Sequence, residues 1–350
     1  MNLKIMKTKY LMIATVAMLL TACSNDENEV NDGPVAAQVS ASFGAESRAV
    51  NTDNTWAAND AIGVMVTKVE QPTGGNAATS DMVTRYKNVK YTTKNGGSPA
   101  TFEAEAGQGI FFQDATETVT FAAYYPYQTS TDASTLPDAI TVNTKDNNTD
   151  ANQATIDFLF ASGATASQST PTVEFNDNSS SGGTNCQFKH QMAQLKLVIV
   201  GSTADGFTDT EAKAVCDNAS IYKLGGLKHE GSFTLEVSTD ETAIGTAVAT
   251  GSAVDDWTIT GCVKEDKEDE YKRTYTLVLL PQDCSGTALK FEATIGGQIY
   301  KNDTNIKPNL EAGKSYTYTI TVKKTGLEVS GCTIAPWTVE QEQKGDATMQ

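Results

Sequence analysis

The sequence predicts an all-β protein built as two sandwich domains in tandem. Several segments alternate apolar and polar residues with period two, the signature of a strand with one buried face. Gly, Thr, Asn and Ser are plentiful and long amphipathic helical patterns are scarce, which favours short strands joined by turns. A run of Asn, Ser and Gly at 176–184 reads as a linker between two such series. A length of 350 residues suits about two domains.

Composition narrows the function classes. Acids number 43 against 26 bases, a formal net charge of -17. That disfavours nucleic acid as a partner, because phosphate binding needs a basic face. It equally disfavours a polybasic membrane patch.

The chain opens with Lys4, Lys7 and Lys9, followed by the apolar run Tyr10 to Leu20. Such a run is too short to span a bilayer and fits a secretory signal. It ends in Leu20-Thr21-Ala22-Cys23, which resembles the bacterial lipobox, where the Cys thiol receives lipid and becomes the new N-terminus. Residues 1–22 are therefore expected to be a lipoprotein signal peptide. Acyl chains on Cys23 would anchor the protein stably where two or more are attached. Ser24 to Glu29 is acidic and polar, so it cannot pack and forms a solvated tether.

Val35, Ala37, Val39, Ala41 and Phe43 alternate with polar or small residues, a strand with one apolar face. Arg48 follows in a small, polar stretch, the kind of place proteases cut. A cut before Ala49 would release that strand. Residues 23–48 thus read as tether plus first strand, 49–182 as the N-terminal sandwich and 183–350 as the C-terminal one. Further strands are expected at Trp56–Val66, Tyr86–Tyr91, Ile110–Phe112, Val119–Tyr127, Ile156–Ala161 and Val173–Phe175, with a long loop at 128–154 around Ile140–Val142. Beyond the linker, Gln187–Val200 reads as one long buried strand. A short helix is expected within 206–216. Strands follow at Phe233–Val237, Tyr271–Leu280, Leu289–Ile295 and Tyr316–Lys323. Leu327–Trp337 is a last extended segment.

The sequence contains no GxSxG, HExxH, P-loop or strand-helix GxGxxG pattern. Paired carboxylates for hydrolysis can come together only in space, so they are not readable here. The histidines are two, His190 and His229, and both read as structural. Asp146, Asn148, Asp150 and Asp157 fall at calcium-loop spacing, but Ala151 replaces the sharp-turn Gly, so a polar loop without metal is expected. Trp56, Trp257 and Trp337 are dispersed, as core or interface residues are. Cys186, Cys216, Cys262, Cys284 and Cys332 are odd in number and lack CxxC spacing, which leaves their pairing open and favours buried thiols. No catalytic residue, metal or cofactor is expected.

Several motifs then occur in a fixed order. They are Trp56-x-x-x-Asp60-x-Ile62-Gly63-Val64, Ala122-Ala123-Tyr124-Tyr125-Pro126-Tyr127 and Phe188-x-His190-x-x-Ala193-x-Leu195. Leu280-Pro281-Gln282, Gly313-Lys314-Ser315-Tyr316-x-Tyr318-x-Ile320 and the closing Leu327 to Trp337 follow. Behind a lipobox, the set resembles the fimbrillin-like family of Bacteroidetes. The acidic run after Cys23 resembles the surface-export signal of lipoproteins from that group.

The resemblance implies transthyretin-like β-sandwiches and a structural subunit of cell-surface fimbriae that supports adhesion. It implies an outer-membrane precursor anchored through Cys23 and an Arg-specific protease cutting at Arg48-Ala49. Removal of the Val35 to Phe43 strand and polymerisation with other fimbrial subunits by strand exchange would follow. Leu327, Val329, Ile334 and Trp337 are then the candidate donor residues. The alternatives are a non-polymerising surface lipoprotein, such as an anchor or tip subunit, and a protein that binds glycan or another host or bacterial surface ligand.

Overall fold

Ile62 to Thr67 and Phe121 to Tyr125 are buried without interruption, because their strands are covered on both faces. The computed structural model describes residues 34–43, 55–71, 80–238, 240–265 and 271–337, so Cys23, Arg48 and Ala49 lie outside the described residues. The first series of strands is β1 (Gln38–Ala41), β2 (Ala61–Glu70), β3 (Val89–Thr93), β4 (Ala100–Glu103), β5 (Thr118–Tyr125), β6 (Ile140–Asn143), β7 (Leu159–Ala166), β8 (Thr172–Phe175) and β9 (Lys189–His190). All but β6 form one sheet in the order β8-β1-β4-β3-β2-β5-β7-β9.

The second series is β10 (Ala193–Gly201), β11 (Ile221–Gly225), β12 (Leu227–Val237), β13 (Ala243–Val254), β14 (Trp257–Thr258), β15 (Val263–Glu265), β16 (Lys272–Leu279) and β17 (Gln282–Asp283). It continues with β18 (Lys290–Ile295), β19 (Gln298–Asn302), β20 (Asn309–Leu310), β21 (Lys314–Lys323), β22 (Gly326–Val329) and β23 (Thr333–Pro336). One sheet runs β15-β16-β10-β21-β22, with β23 also on β21, and a second runs β14-β11-β18-β19. The protein is all-β. Helices among the described residues are short; Thr208 caps the one at Asp209–Lys213, with Glu211 completing a capping box.

Apolar side chains gather in three clusters. One draws on residues 37–188 and fills the inner face of the first sheet. Another, with its fully buried members between 193 and 322, lies between the two larger sheets of the second series, where Tyr222 meets Tyr275 at 5.5 Å and Phe291 at 6.2 Å between ring centroids. The third joins both series. Met65, Ala122 and Tyr124, on the other face of the first sheet, pack with Phe233 and Leu235 of β12, Val278 of β16 and Trp337. Phe158 stacks on Phe233 at 4.6 Å. All described residues belong to one compact unit.

Some sequence expectations change. Gln187–Val200 is not one strand: β9 still pairs with β7, and the chain crosses to the next sheet between His190 and Ala193. Ile110–Phe112 forms no strand; Phe111 makes a single bridge to Ala36. The 128–154 loop does hold a short strand, β6, but its partner is β12 of the second series.

Gly63 has a packing reason. A Cβ there would stand 2.1 Å from Tyr124 Cε1 and 2.7 Å from Asn88 Oδ1. The Tyr124 hydroxyl donates to that Asn88 oxygen at 2.9 Å and accepts from the Gln128 N–H at 3.1 Å, which anchors the start of the loop. Gly63→Ala is therefore expected to destabilise the fold by about 1–3 kcal/mol through overpacking, read as a lower urea midpoint.

Candidate functional site

The first strand sits inside its sheet. β1 pairs antiparallel with β4, Val39 opposite Phe102 and Ala41 opposite Ala100, and parallel with β8, Val39 beside Val173 and Ala41 beside Phe175. Ladder bonds alone do not hold it. The Ala37 N–H donates to Ile110 O at 2.8 Å, and the Val35 carbonyl accepts from the Phe112 N–H at 3.0 Å. The Trp56 indole N–H donates to Ala41 O at 3.0 Å, and Gln187 Nε2 donates to Phe43 O at 2.9 Å. The Tyr91 hydroxyl accepts from the Ile110 N–H at 3.0 Å and reaches Ala37 O at 3.4 Å. Burial pushes the Tyr91 phenol up to about 12, so it stays a neutral donor at ordinary pH.

Ala37, Val39, Ala41 and Phe43 are buried and Val35 is half-buried, while the residues between them face outward or are only partly covered. Ala41 is 0 % exposed, so a larger side chain there would have to displace the groups packed on it. Phe43 closes the slot against Trp56 at 4.2 Å between centroids. Trp56 in turn meets Phe102 at 5.0 Å, Phe188 at 5.2 Å and Tyr125 at 5.5 Å, all edge-on. Without β1, the slot is a groove with apolar walls and two strands that each lack a partner.

The other candidate segment lies along β21. β22 pairs Val329 with Ile320 and Leu327 with Val322. β23 pairs Thr333 with Thr317 and Ile334 with Tyr316. The two registers differ by one residue, so a bulge separates the strands around Gly331 and Cys332. Leu327 and Val329 pack on the second cluster. Ile334 is 61 % exposed, whereas Trp337 is buried in the third cluster, its N–H donating to Gly313 O at 2.9 Å. Trp337 stacks on His190 at 3.7 Å, and His190 Nδ1 lies 2.6 Å from Asp157 Oδ1.

The sequence profile of the fimbrillin-like family matches residues 47–337. The chain belongs to the fimbrillin-like family. A Bacteroides uniformis protein named as fimbrium subunit Fim1C is 31% identical over 343 residues, covering 95% of this chain and 96% of its own. A solved structure described as a cell adhesion protein from Bacteroides ovatus shares the fold with a TM-score of 0.64 at 24% identity, covering 88% of this chain and 100% of its own. A second, also described as a cell adhesion protein and from Bacteroides uniformis, has a TM-score of 0.56 at 23% identity, with 88% and 99% covered.

The remaining candidates of this fimbrillin-like chain take structural places. All three tryptophans are buried. Asn148 is buried and holds the backbone of Val278, Asp157 bonds His190, Asp146 bonds Asn143 and Asp150 accepts from the Cys262 N–H. The four residues at calcium-loop spacing thus serve four different partners. Among the described residues no group of three or more His, Cys, Asp or Glu is arranged to hold a metal. Cys186, Cys262, Cys284 and Cys332 are free thiols, and burial pushes Cys284 up to about 11 and Cys262 up to about 12, away from the reactive thiolate. Burial also raises the Asp157 carboxyl, against the opposing pull of His190.

His229 is buried, with Nδ1 2.9 Å from Thr144 Oγ1 and its ring edge-on to Trp257 at 4.6 Å. Burial, then the Lys145 ammonium, push it down to about 4, with Asp146 pulling the other way. Between about pH 6.5 and that value the unfolded chain binds a proton that the folded chain does not, so stability falls as pH falls through this window. His229→Gln is expected to flatten that slope, which carries on the order of 3 kcal/mol, in urea titrations run from pH 7 to pH 4. Trp56→Ala is expected to cost about 3–5 kcal/mol in the same titration at pH 7, since it removes both the slot's wall and a donor to β1.

Proposed function

We propose that the chain is a structural subunit of a cell-surface fimbria that supports adhesion. In this reading it is exported as an outer-membrane lipoprotein through Cys23, cut between Arg48 and Ala49, and polymerised with other fimbrial subunits by strand exchange. The observation that carries the reading is the place of β1. It is an interior strand whose apolar side is buried, yet it ends only a few residues before Arg48. Burying Val39 and Phe43 contributes about 1.5–3 kcal/mol each, as an upper estimate. A strand that replaces β1 must offset that loss and supply the same backbone bonds, as in β-augmentation. Family membership and the named fimbrium relative support the same assignment. In this reading the chain is not an enzyme and takes no cofactor, and its domains are an N-terminal sandwich around the first cluster and a C-terminal one around the second.

A second reading, an anchor or tip subunit that does not pass on its end, rests on a separate observation. The C-terminal strands β22 and β23 here complete their own sheet along β21. Such a subunit would meet a host or bacterial surface ligand.

The deciding experiment is N-terminal sequencing of protein sheared from the cell surface. The first reading expects a start at Ala49 and loss of fibres in the Arg48→Ala variant. Lipid-modified Cys23 with no Ala49 form overturns it and leaves the anchor or ligand-binding lipoprotein.

A further inference from the structure

We propose that the free edge of β13 is an interface between two copies of this chain, paired antiparallel about a two-fold axis at Thr246. The interface uses neither β1 nor β22 and β23, so it stands apart from strand exchange.

A sheet edge is a row of unpaired backbone groups, and proteins blunt it with short strands, charge, proline or a bulge. The other sheet ends follow that rule. β8 carries Glu174, β19 carries Lys301, β22 carries Glu328 and β23 ends in Pro336. Among the described residues, none of the other end strands is longer than the 5 residues of β19. β13 has 12 residues, stands at the end of the order β13-β12-β6 and contains neither charge nor proline. Its blunting device is the register shift against β12 between Lys228 and Glu230, where Gly251 takes a φ of 72°. Residues 243–250 keep a regular register.

The backbone of that stretch has a defined phase. The Ser238 N–H donates to Thr242 O at 2.9 Å, and the ladder continues from this pair to Val237 opposite Ala243. Bonded and non-bonded pairs alternate in an antiparallel ladder. Even-numbered residues of β13 therefore bond to β12, while the N–H and C=O groups of Ala243, Gly245, Ala247 and Ala249 point away from it. Among the described residues no strand lies on that side. On the outer face Ile244 and Val248 are each 46 % exposed, with Thr246 exposed between them.

What fits this edge is the edge itself. The chain carries a net charge of -17, so two copies repel across most of their surface, and β13 offers a stretch without charge. With the axis at Thr246, Ile244 faces Val248 of the second copy, and Thr246 faces Thr246. Gly245 then faces Ala247 and Ala243 faces Ala249, so the residues with free backbone groups meet each other. Thr–Thr and paired β-branched residues are favourable across strands. The rows extend into β12, where Thr234 stands beside Thr246, Glu236 beside Ile244 and Ser232 beside Val248. Glu236 thus looks along its row toward Ser232 of the second copy. An axis at Ile244 sets the two Glu236 rows on each other, and an axis at Val248 runs Gly245 into the bulge at Gly251. So short a ladder is small for a stable dimer. It is weak between single copies and is multiplied where many are held side by side.

The test uses full-length protein purified in detergent and carrying Arg48→Ala, which keeps strand exchange out of the result under the reading above. Facing residues of a non-bonded pair have Cα atoms about 4.5 Å apart, within disulfide reach. Thr246→Cys oxidised with diamide is therefore expected to give a disulfide-linked dimer. Thr250→Cys, exposed on the same strand but far from its own copy, is expected to stay at the yield of the native thiols. Equal yields from the two variants overturn the interface. A dimer from Ile244→Cys or Val248→Cys alone, in place of Thr246→Cys, overturns the register. A disulfide from Thr246→Cys to a different protein overturns the occupant. Sedimentation gives a second readout. The mass of the protein with native Thr246 is expected to rise with concentration. Thr246→Lys is expected to abolish that rise at an unchanged urea midpoint, because Thr246 is exposed. A rise that persists in Thr246→Lys, or is absent with native Thr246, overturns the interface.

Discussion

The first sheet depends on a single requirement: the backbone between β4 and β8 must have a partner on both sides. Buried N–H and C=O groups are costly when unpaired, and β1 satisfies them in two directions at once. Among the described residues, β8 lies at the end of the sheet order and joins the ladder only through β1. The side chains around the slot are arranged to the same end. Trp56 and Gln187 aim N–H groups at carbonyls of β1, and the Tyr91 hydroxyl reaches another. None of these contacts reads a side chain of β1. They hold any backbone that lies in the slot with small residues at the right places.

The rest of the molecule packs around that slot. The first sheet is packed on both faces, its inner face by its own cluster and its outer face by side chains that include those of β12 and Trp337. His190 stands at the crossing. Its backbone belongs to the first sheet, its ring bonds Asp157, and Trp337 stacks on it from the end of the second series. Close packing across such a seam transmits displacement instead of absorbing it.

Much of this was legible in the sequence and some could not be. Period two exposed β1 and β21, and Ala37, Val39, Ala41 and Phe43 are buried as that period requires, with Val35 half-buried. β13 left no signal, because its inward places are filled by Ala243, Gly245 and Ala247, and Gly245 packs directly under Phe160 and Phe233. Small residues pack as well as large ones there but carry no hydrophobic period. The break between β9 and β10 was hidden because both sides of it are buried and therefore apolar. The pairing of β6 with β12 is non-local and has no trace in either segment. At the C-terminal end, the spacing leaves period two past Gly331 and so pointed to a bulge or an edge, and the register changes there by one residue.

The direction of β1 has a consequence for symmetry. The slot is asymmetric, with a parallel neighbour on one side and an antiparallel neighbour on the other, so a strand that reproduced the bonds of β1 would have to run in the direction of β1. In the strand-exchange reading, the surface that receives and the segment that gives would be different parts of the chain. A contact between unlike patches is heterologous and does not close on itself about a two-fold axis. Under the proposed strand exchange, repetition from subunit to subunit would generate an open polymer with two unlike ends, one presenting an empty slot and the other an unused strand.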